Sequence, residues 1–301
     1  MNTRDLEAFL AVVETGSIVG ASARLNLTQP GVSRRIQSLE EQLNVALLDR
    51  QSKPLKPTAA GRETYAHARR MLGILDDLKT GLSPEGIVSG EFRLGISPYL
   101  SEVGITTLAD RLRNSFRDLL LRITVGWPEQ LLEQLRRSEI DVAAFCLPEG
   151  VSPPTEIEAS AVDIQPLFVT APRSLKLPSP AKLKDLSALP WIINQDGCGF
   201  RSAIQRRFEQ ENLPLRIGIE VLSSDLRLSL VARGLGITLA TKAAVESSPL
   251  RKALKIVPVQ AFQPRVRAWI VRRPPVGRLV RPIECLTAAL EAAIDGQLQG
   301  A

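Results

Sequence analysis

The segment Thr28-Gln29-Pro30-Gly31-Val32-Ser33-Arg34-Arg35-Ile36-Gln37-Ser38-Leu39-Glu40-Glu41-Gln42-Leu43 reads as a helix with two unlike faces. Val32, Ile36, Leu39 and Leu43 step by four, three and four residues and form one apolar stripe. At about 100° per residue, Pro30, Ser33, Arg34 and Gln37 point the other way. Thr28 fits the N-cap. Pro30 is tolerated in the first turn, where backbone N–H groups lack helical partners anyway.

Just upstream, Leu6, Phe9, Leu10 and Val13 recur at helical spacing behind Thr3 as N-cap. Gly16 ends that helix, and Ser17 caps a second through Ala21, Ala23 and Arg24. Helix, tight turn and a further helix with polar residues outward make a helix-turn-helix, whose reading helix fits the major groove of double-stranded DNA. Arg34 can fork onto guanine, Gln29 can bind a base edge, and Pro30 or Ser33 can touch a thymine methyl. Downstream, Leu48–Thr58 reads as a short basic hairpin whose Arg50, Lys53 and Lys56 suit phosphates or the minor groove. The expected DNA-facing set is Thr28, Gln29, Pro30, Ser33, Arg34, Gln37, Arg50 and Lys53. A purely structural helical subdomain is the competing reading, since residues 1–60 carry 7 Lys/Arg against 6 Asp/Glu. What favours DNA is the placement of the cations on the outward helix face and the hairpin.

A long helix from Ala59 to Leu82 follows, with Tyr65, Ala68, Leu72 and Leu75 as one seam and Met71, Ile74 and Leu78 as a second. Two apolar seams imply a partner helix. Ser83-Pro84-Glu85-Gly86 reads as a hinge. From residue 91 strands and helices alternate. Phe92–Ile96, Leu119–Val125 and Ile140–Phe145 are strands, with helices at 101–115 and 128–137 between them. This βαβαβ order implies a parallel sheet with helices on its faces. A second set has strands at 166–170, 191–193, 218–222 and 237–240, with helices at 200–210 and 225–233. A late strand at 266–271 and a helix at 279–294 close the chain. The expected organisation is 1–58, a winged helix-turn-helix; 59–87, a linker and dimerisation helix with hinge; and 88–301, a two-lobed α/β domain. Lobe I spans about 91–162 and 268–301, and lobe II about 163–267.

Composition narrows the function. The 301 residues are 44% hydrophobic and 23% charged, an ordinary globular balance that excludes disordered, collagen-like and disulfide-scaffold classes. No apolar run approaches the ~18 residues of a membrane span, and the opening Met1-Asn2-Thr3-Arg4-Asp5 lacks a signal peptide's pattern, so a cytoplasmic protein is expected. His67 is the single histidine, and Cys146, Cys198 and Cys285 lie far apart without a C-x-x-C. Histidine-rich metal sites and structural zinc are therefore not expected, and no cofactor is. Residues 251–281 hold 9 Lys/Arg and no Asp/Glu, so much of the net +6 arises there. That surface is either solvated and subunit-facing, or a contact for bent DNA or RNA polymerase.

Several runs carry a family resemblance. Leu6-Glu7-Ala8-Phe9-Leu10-Ala11-Val12-Val13-Glu14-Thr15-Gly16-Ser17 resembles the opening of LysR-type transcriptional regulators. Ala23 through Glu40 resembles their recognition helix, and Leu47-Leu48-Asp49-Arg50 with Thr58-Ala59-Ala60-Gly61 resembles their wing and the start of their linker helix. Glu139-Ile140-Asp141-Val142-Ala143 and Leu230-Val231-Ala232-Arg233-Gly234-Leu235-Gly236-Ile237 extend the likeness into the lobes. The resemblance implies a winged helix-turn-helix, a linker-helix dimer or a tetramer, and an effector domain shaped like type 2 periplasmic binding proteins. It places DNA contact on Gln29, Pro30, Ser33, Arg34 and Arg50. The chain departs from the family's pattern at Ile18-Val19-Gly20 and in lacking a proline within Thr238-Leu239-Ala240-Thr241.

Two α/β lobes joined by crossing segments form a cleft at their strands' carboxyl ends. Several helices begin there, and their N-termini favour an anion, so a small organic anion is the expected effector. The expected contacts are Ser97, Tyr99, Gly126, Trp127, Gln195, Gly197, Cys198, Phe200, Arg201 and Ser224. Plainer readings exist: Ser97 and Ser224 as helix caps, Trp127 as a packing aromatic, Gln195 in a solvated loop, Arg201 in a surface ion pair. Gly234-Leu235-Gly236 lacks the third glycine of a nucleotide loop. A thiol-based redox sensor through Cys198 is an alternative, although no second cysteine lies within the next dozen residues for a local disulfide. A two-lobe enzyme such as a porphyrin-pathway deaminase is another. It would leave residues 1–82 without a purpose and lacks a legible acidic centre. A solute-binding protein would want an export signal.

Overall fold

The structure, a computed structural model, describes residues 2–81, 88–274 and 276–299. The expected Ser83–Gly86 hinge and the helix end at Leu82 lie outside the described residues. The chain divides into two compact units, one built chiefly on Met1–Val88 and the other chiefly on residues 89–301.

The first unit contains α1 (Thr3–Thr15), α2 (Ile18–Leu25), α3 (Gln29–Leu43), β1 (Leu48–Asp49), β2 (Lys56–Pro57) and α4 (Ala59–Gly81). Its turns follow from caps. Asn2, not Thr3, caps α1, accepting from the Arg4 N–H at 3.0 Å. Gly16 ends α1 at φ +64°, which glycine adopts without strain. Ser17 and Thr28 accept from the N–H groups of Gly20 and Gly31, at 3.3 and 3.2 Å. Val32, Ile36 and Leu39 are buried with Leu6, Phe9 and Val12, whereas Leu43 is 40% exposed and leaves the stripe. The hairpin pairs antiparallel, Leu48 opposite Pro57. Glu40 fixes it to α3, accepting from the N–H groups of Leu47 and Leu48 at 2.8 and 3.3 Å. At the start of α4 only glycine fits at 61, since a Cβ there would stand 2.0 Å from the Leu47 carbonyl oxygen.

On α4 the two seams have different fates. Ala68 is buried in the core of its own unit, and Tyr65 and Leu72 pack against that core. The seam expected to meet a partner helix is thus largely used within the chain. Met71, Ile74 and Leu78 are 42%, 50% and 60% exposed.

The second unit continues with β3 (Gly90–Ile96), α5 (Pro98–Ser115), β4 (Leu119–Val125), α6 (Pro128–Arg136), β5 (Val142–Pro148) and β6 (Glu158–Pro166). Then come β7 (Phe168–Pro172), α7 (Leu183–Ser187), β8 (Trp191–Ile193), α8 (Gly199–Gln210), β9 (Ile217–Glu220), α9 (Ser224–Ala232), β10 (Thr238–Ala240), α10 (Lys242–Ser247) and β11 (Leu254–Val257). The chain ends in β12 (Arg265–Arg272) and α11 (Val280–Gln299).

Lobe I is a five-stranded sheet in the order β4-β3-β5-β12-β6. The βαβαβ part is parallel as expected. The sheet as a whole is mixed, because β12 runs antiparallel to both β5 and β6. Asp141, from the Glu139–Ala143 run, ties β3 to β5 by accepting from the Arg93 backbone N–H at 2.8 Å and its guanidinium at 2.6 Å. Lobe II holds an antiparallel β10-β7-β11 sheet and a parallel β8-β9 pair. Trp191 is fully buried in it, edge-on to Phe208 at 5.6 Å, with its N–H donating to the Leu186 carbonyl. The chain crosses between the lobes twice, where β6 gives way to β7 and where β11 leads to β12. Among the described residues no helix is long and apolar enough to cross a membrane.

Candidate functional site

The N-terminal unit presents the beginning of α3 and the hairpin at its surface. Gln29, Pro30, Ser33, Arg34 and Gln37 are exposed, as are Arg50, Lys53 and Lys56. Three residues of the expected set also have partners within the protein. Thr28 spends its hydroxyl oxygen on the Gly31 N–H. The Gln37 amide donates to Glu41 at 3.0 Å, and Arg50 pairs with Glu40 at 2.9 Å while staying 74% exposed at the side chain. The result is a surface of outward donors on a rigid helix–hairpin frame, the kind that meets phosphates and base edges.

In the C-terminal unit a narrow crevice lies between the lobes, with a cavity of about 10 Å³, room for about one water. From the expected set it brings together Ser97, Tyr99, Trp127, Cys198, Phe200 and Ser224. Gly126, Gln195, Gly197 and Arg201 are not in its lining. Gly126 is buried against Gln130, and Gly197 turns at φ +87° behind Trp127. Arg201 is mostly buried and already partnered, with Glu220 at 2.6 Å, Asp196 at 3.6 Å and the Asn194 carbonyl at 3.3 Å. The cation of the crevice is Arg227.

Arg227 sits in the first turn of α9 and is 3% exposed. Its guanidinium donates to Asn194 Oδ1 at 2.5 Å and to Ser224 Oγ at 3.1 Å. No described carboxylate forms an ion pair with it, and burial pulls it below the usual arginine range by disfavouring the charge. The sequence holds a signal for it. Arg227 is one helical turn before Val231 and adjacent to Leu228, so a cation lies in phase with an inward stripe. Pro128, Cys146, Asn194 and Gly199, outside the expected set, also line the crevice.

The serines resolve differently from plain caps. Ser97 occupies the N-cap of α5, but its hydroxyl bonds no helix N–H and is buried without a partner. Ser223 is the cap of α9, accepting from the Leu226 N–H. Ser224 instead accepts from Arg227, and its backbone N–H donates to Glu102 Oε1 at 3.1 Å. Thr241, where a family proline is absent, caps α10 through the Ala244 N–H at 3.3 Å.

The walls are apolar. Tyr99 and Phe200 pack with ring centroids 5.0 Å apart, and Trp127 and Pro128 complete the surface. Burial pushes the thiols of Cys146 and Cys198 above the usual cysteine range, so both are protonated at neutral pH. Among the described residues no group of three or more His, Cys, Asp or Glu is placed to hold a metal.

Comparison with known proteins accounts for both units. Residues 3–62 match the bacterial regulatory helix-turn-helix model of the LysR family, and residues 85–293 match the LysR substrate binding domain. A RuBisCO operon transcriptional regulator of Allochromatium vinosum is 27% identical over 281 residues, covering 91% of this chain and 90% of that protein. Among solved structures, a full-length OxyR variant of Pseudomonas aeruginosa superposes with a TM-score of 0.75 at 21% identity, over 97% of this chain and 98% of the other. Full-length CbnR in complex with its target DNA does so with a TM-score of 0.60 at 22% identity, over 96% and 100%. The two family models together span most of the chain, and the chain belongs to the LysR family of DNA-binding transcription regulators.

Proposed function

We propose that this regulator reads double-stranded DNA as a homo-oligomer through α3 and the β1–β2 hairpin. A small organic carboxylate in the inter-lobe crevice sets its DNA-binding state. Gln29, Pro30, Ser33 and Arg34 face base edges, and Arg50 and Lys53 face phosphates. The observation that carries the effector reading is Arg227, a guanidinium buried beside an apolar crevice with only neutral hydrogen-bond partners. A buried charge of this kind is costly until an anion joins it. The orphaned Ser97 hydroxyl offers a second polar contact, and Tyr99, Trp127 and Phe200 offer apolar walls to a ligand's body once the lobes part around it. Such a ligand regulates only if it binds one lobe arrangement better than another.

The test is a thermal-shift comparison of the full chain and its Arg227→Met variant against a panel of small aliphatic and aromatic carboxylates. Saturable stabilisation of the wild type, lost in the variant, is expected. Equal stabilisation of both overturns the site. A gel shift with DNA from upstream of the protein's own gene, with and without the stabilising carboxylate, tests the regulatory half. The protonated thiol of Cys198 weighs against the oxidant-sensing alternative, since thiolate is the reactive form.

A further inference from the structure

Helices α5 and α9 belong to different lobes, and a hydrogen bond joins them. The Ser224 backbone N–H donates to Glu102 Oε1 at 3.1 Å. Ser224 is the first residue of α9, where N–H groups have no helical acceptor and the helix dipole favours negative charge. Arg227 lies in the same turn, and Glu102 acts on its charge electrostatically as well. Glu102 is exposed on α5 and makes no ion pair among the described residues. Its carboxylate thus stands at the edge of a site whose lining includes both Ser224 and Arg227.

We propose that Glu102 is a resident competitor. It is a carboxylate tethered to lobe I that occupies the α9 N-terminus while the crevice is empty and is displaced by an effector's carboxylate. This inference rests on the anion-site reading of Arg227. Exchanging one carboxylate for another at the Ser224 N–H gains almost nothing by itself. The net gain must come from groups to which Glu102 makes no bond: the Arg227 guanidinium, whose hydrogen bonds go to Asn194 and Ser224, the buried Ser97 hydroxyl, which is 5% exposed and without a partner, and the aromatic walls. Glu102 therefore sets a threshold that every anion must cross, and a carboxylate with a flat apolar body crosses it further than a bare anion such as acetate. Displacement also removes a bond between the lobes, which links ligand occupancy to lobe arrangement.

The test uses full-length wild type and Glu102→Gln, which keeps the side chain's shape and removes its charge. Hydrogen exchange is followed at backbone amides 222–228, and binding of benzoate and acetate is followed by calorimetry. Loss of a charge-assisted hydrogen bond is expected to speed exchange at those amides about tenfold and to tighten benzoate by about tenfold. Acetate is expected to bind more weakly than benzoate to both proteins and to tighten in the variant as benzoate does. Unchanged exchange overturns the proposal. So does benzoate affinity indifferent to Glu102→Gln, which leaves the Arg227 site standing. No saturable benzoate binding to either protein overturns both readings together.

Discussion

Arg69 of α4 donates to Glu14 of α1 at 2.5 Å, and the bond fixes the linker helix to the DNA-reading unit. Glu14 also receives the Tyr65 hydroxyl at 3.0 Å and the Arg24 guanidinium at 2.5 Å, so one carboxylate gathers α1, α2 and α4. Burial alone would raise its carboxyl, but Arg69 and Arg24 outweigh that and hold it below the usual carboxylate value. A lowered folded-state pKa contributes stability that is present above the ordinary value of about 4.5 and is lost as pH falls through the folded-state one. Glu14→Gln is expected to cost about 1 kcal/mol at neutral pH, allowing for solvent screening. The cost should shrink on acidification, as denaturant melts of both proteins at neutral and acid pH would show.

Arg34→Ala and Lys53→Ala are expected to weaken DNA binding in different ways. Loss of a base-edge fork from Arg34 costs about 1–3 kcal/mol and relaxes preference at one position. Loss of a phosphate contact from Lys53 lowers affinity for all sequences and reduces the salt slope by about 1. Both side chains are exposed, so circular dichroism should be unchanged. Footprints across a salt series separate the two.

The two seams of α4 separate folding from assembly. Ile74→Asp should reduce the mass seen by light scattering and leave the melt of the monomer unit intact. Leu72→Asp places a charge against the Ala68–Tyr65 core and should lower the melting temperature by several degrees. Reversal of these outcomes would reassign the dimer seam to the first stripe.

Ser97→Ala tests whether the hydroxyl serves the fold or the ligand. It caps nothing and has no partner, so its removal should leave stability unchanged or raise it by up to about 1 kcal/mol. Carboxylate-induced stabilisation should fall at the same time. A stability loss of the size typical of a missing cap, about 1 kcal/mol, would return Ser97 to a structural role.

The sequence discloses most where its signals are local. Gly16, Ser17 and Thr28 mark the turns of the first unit because capping and left-handed backbone depend on a few adjacent residues. Trp191–Ile193 and Leu119–Val125 stand out as apolar runs and match the observed strands residue for residue. Glu158–Pro166 escapes notice because Glu-Ala-Ser-Ala-Val-Asp-Ile-Gln-Pro carries few large apolar side chains, and its strand exists through pairing with β12. Leu183–Ser187 and Lys242–Ser247 are too short to show a helical period, and Leu254–Val257 lies within a basic stretch. The direction of β12 is set by a partner more than a hundred residues away. In the crevice, Arg201 reads as available because Glu220, which neutralises it, is 19 residues distant. Finding Arg227 requires helical phase to be weighed against charge.

The two crossings between the lobes leave from neighbouring strands. β6 and β12 lie abreast, and the Leu167 N–H still donates to the Pro264 carbonyl at 2.9 Å just past the sheet's end. Two strands about 4.8 Å apart and bonded along their length form a ribbon. A ribbon flexes across its flat face and resists bending in its own plane, which would stretch one hydrogen-bonded edge and compress the other. Lobe II therefore has one soft direction of swing, fixed by the plane of that ribbon, and the effector proposed for the crevice would work along that single coordinate.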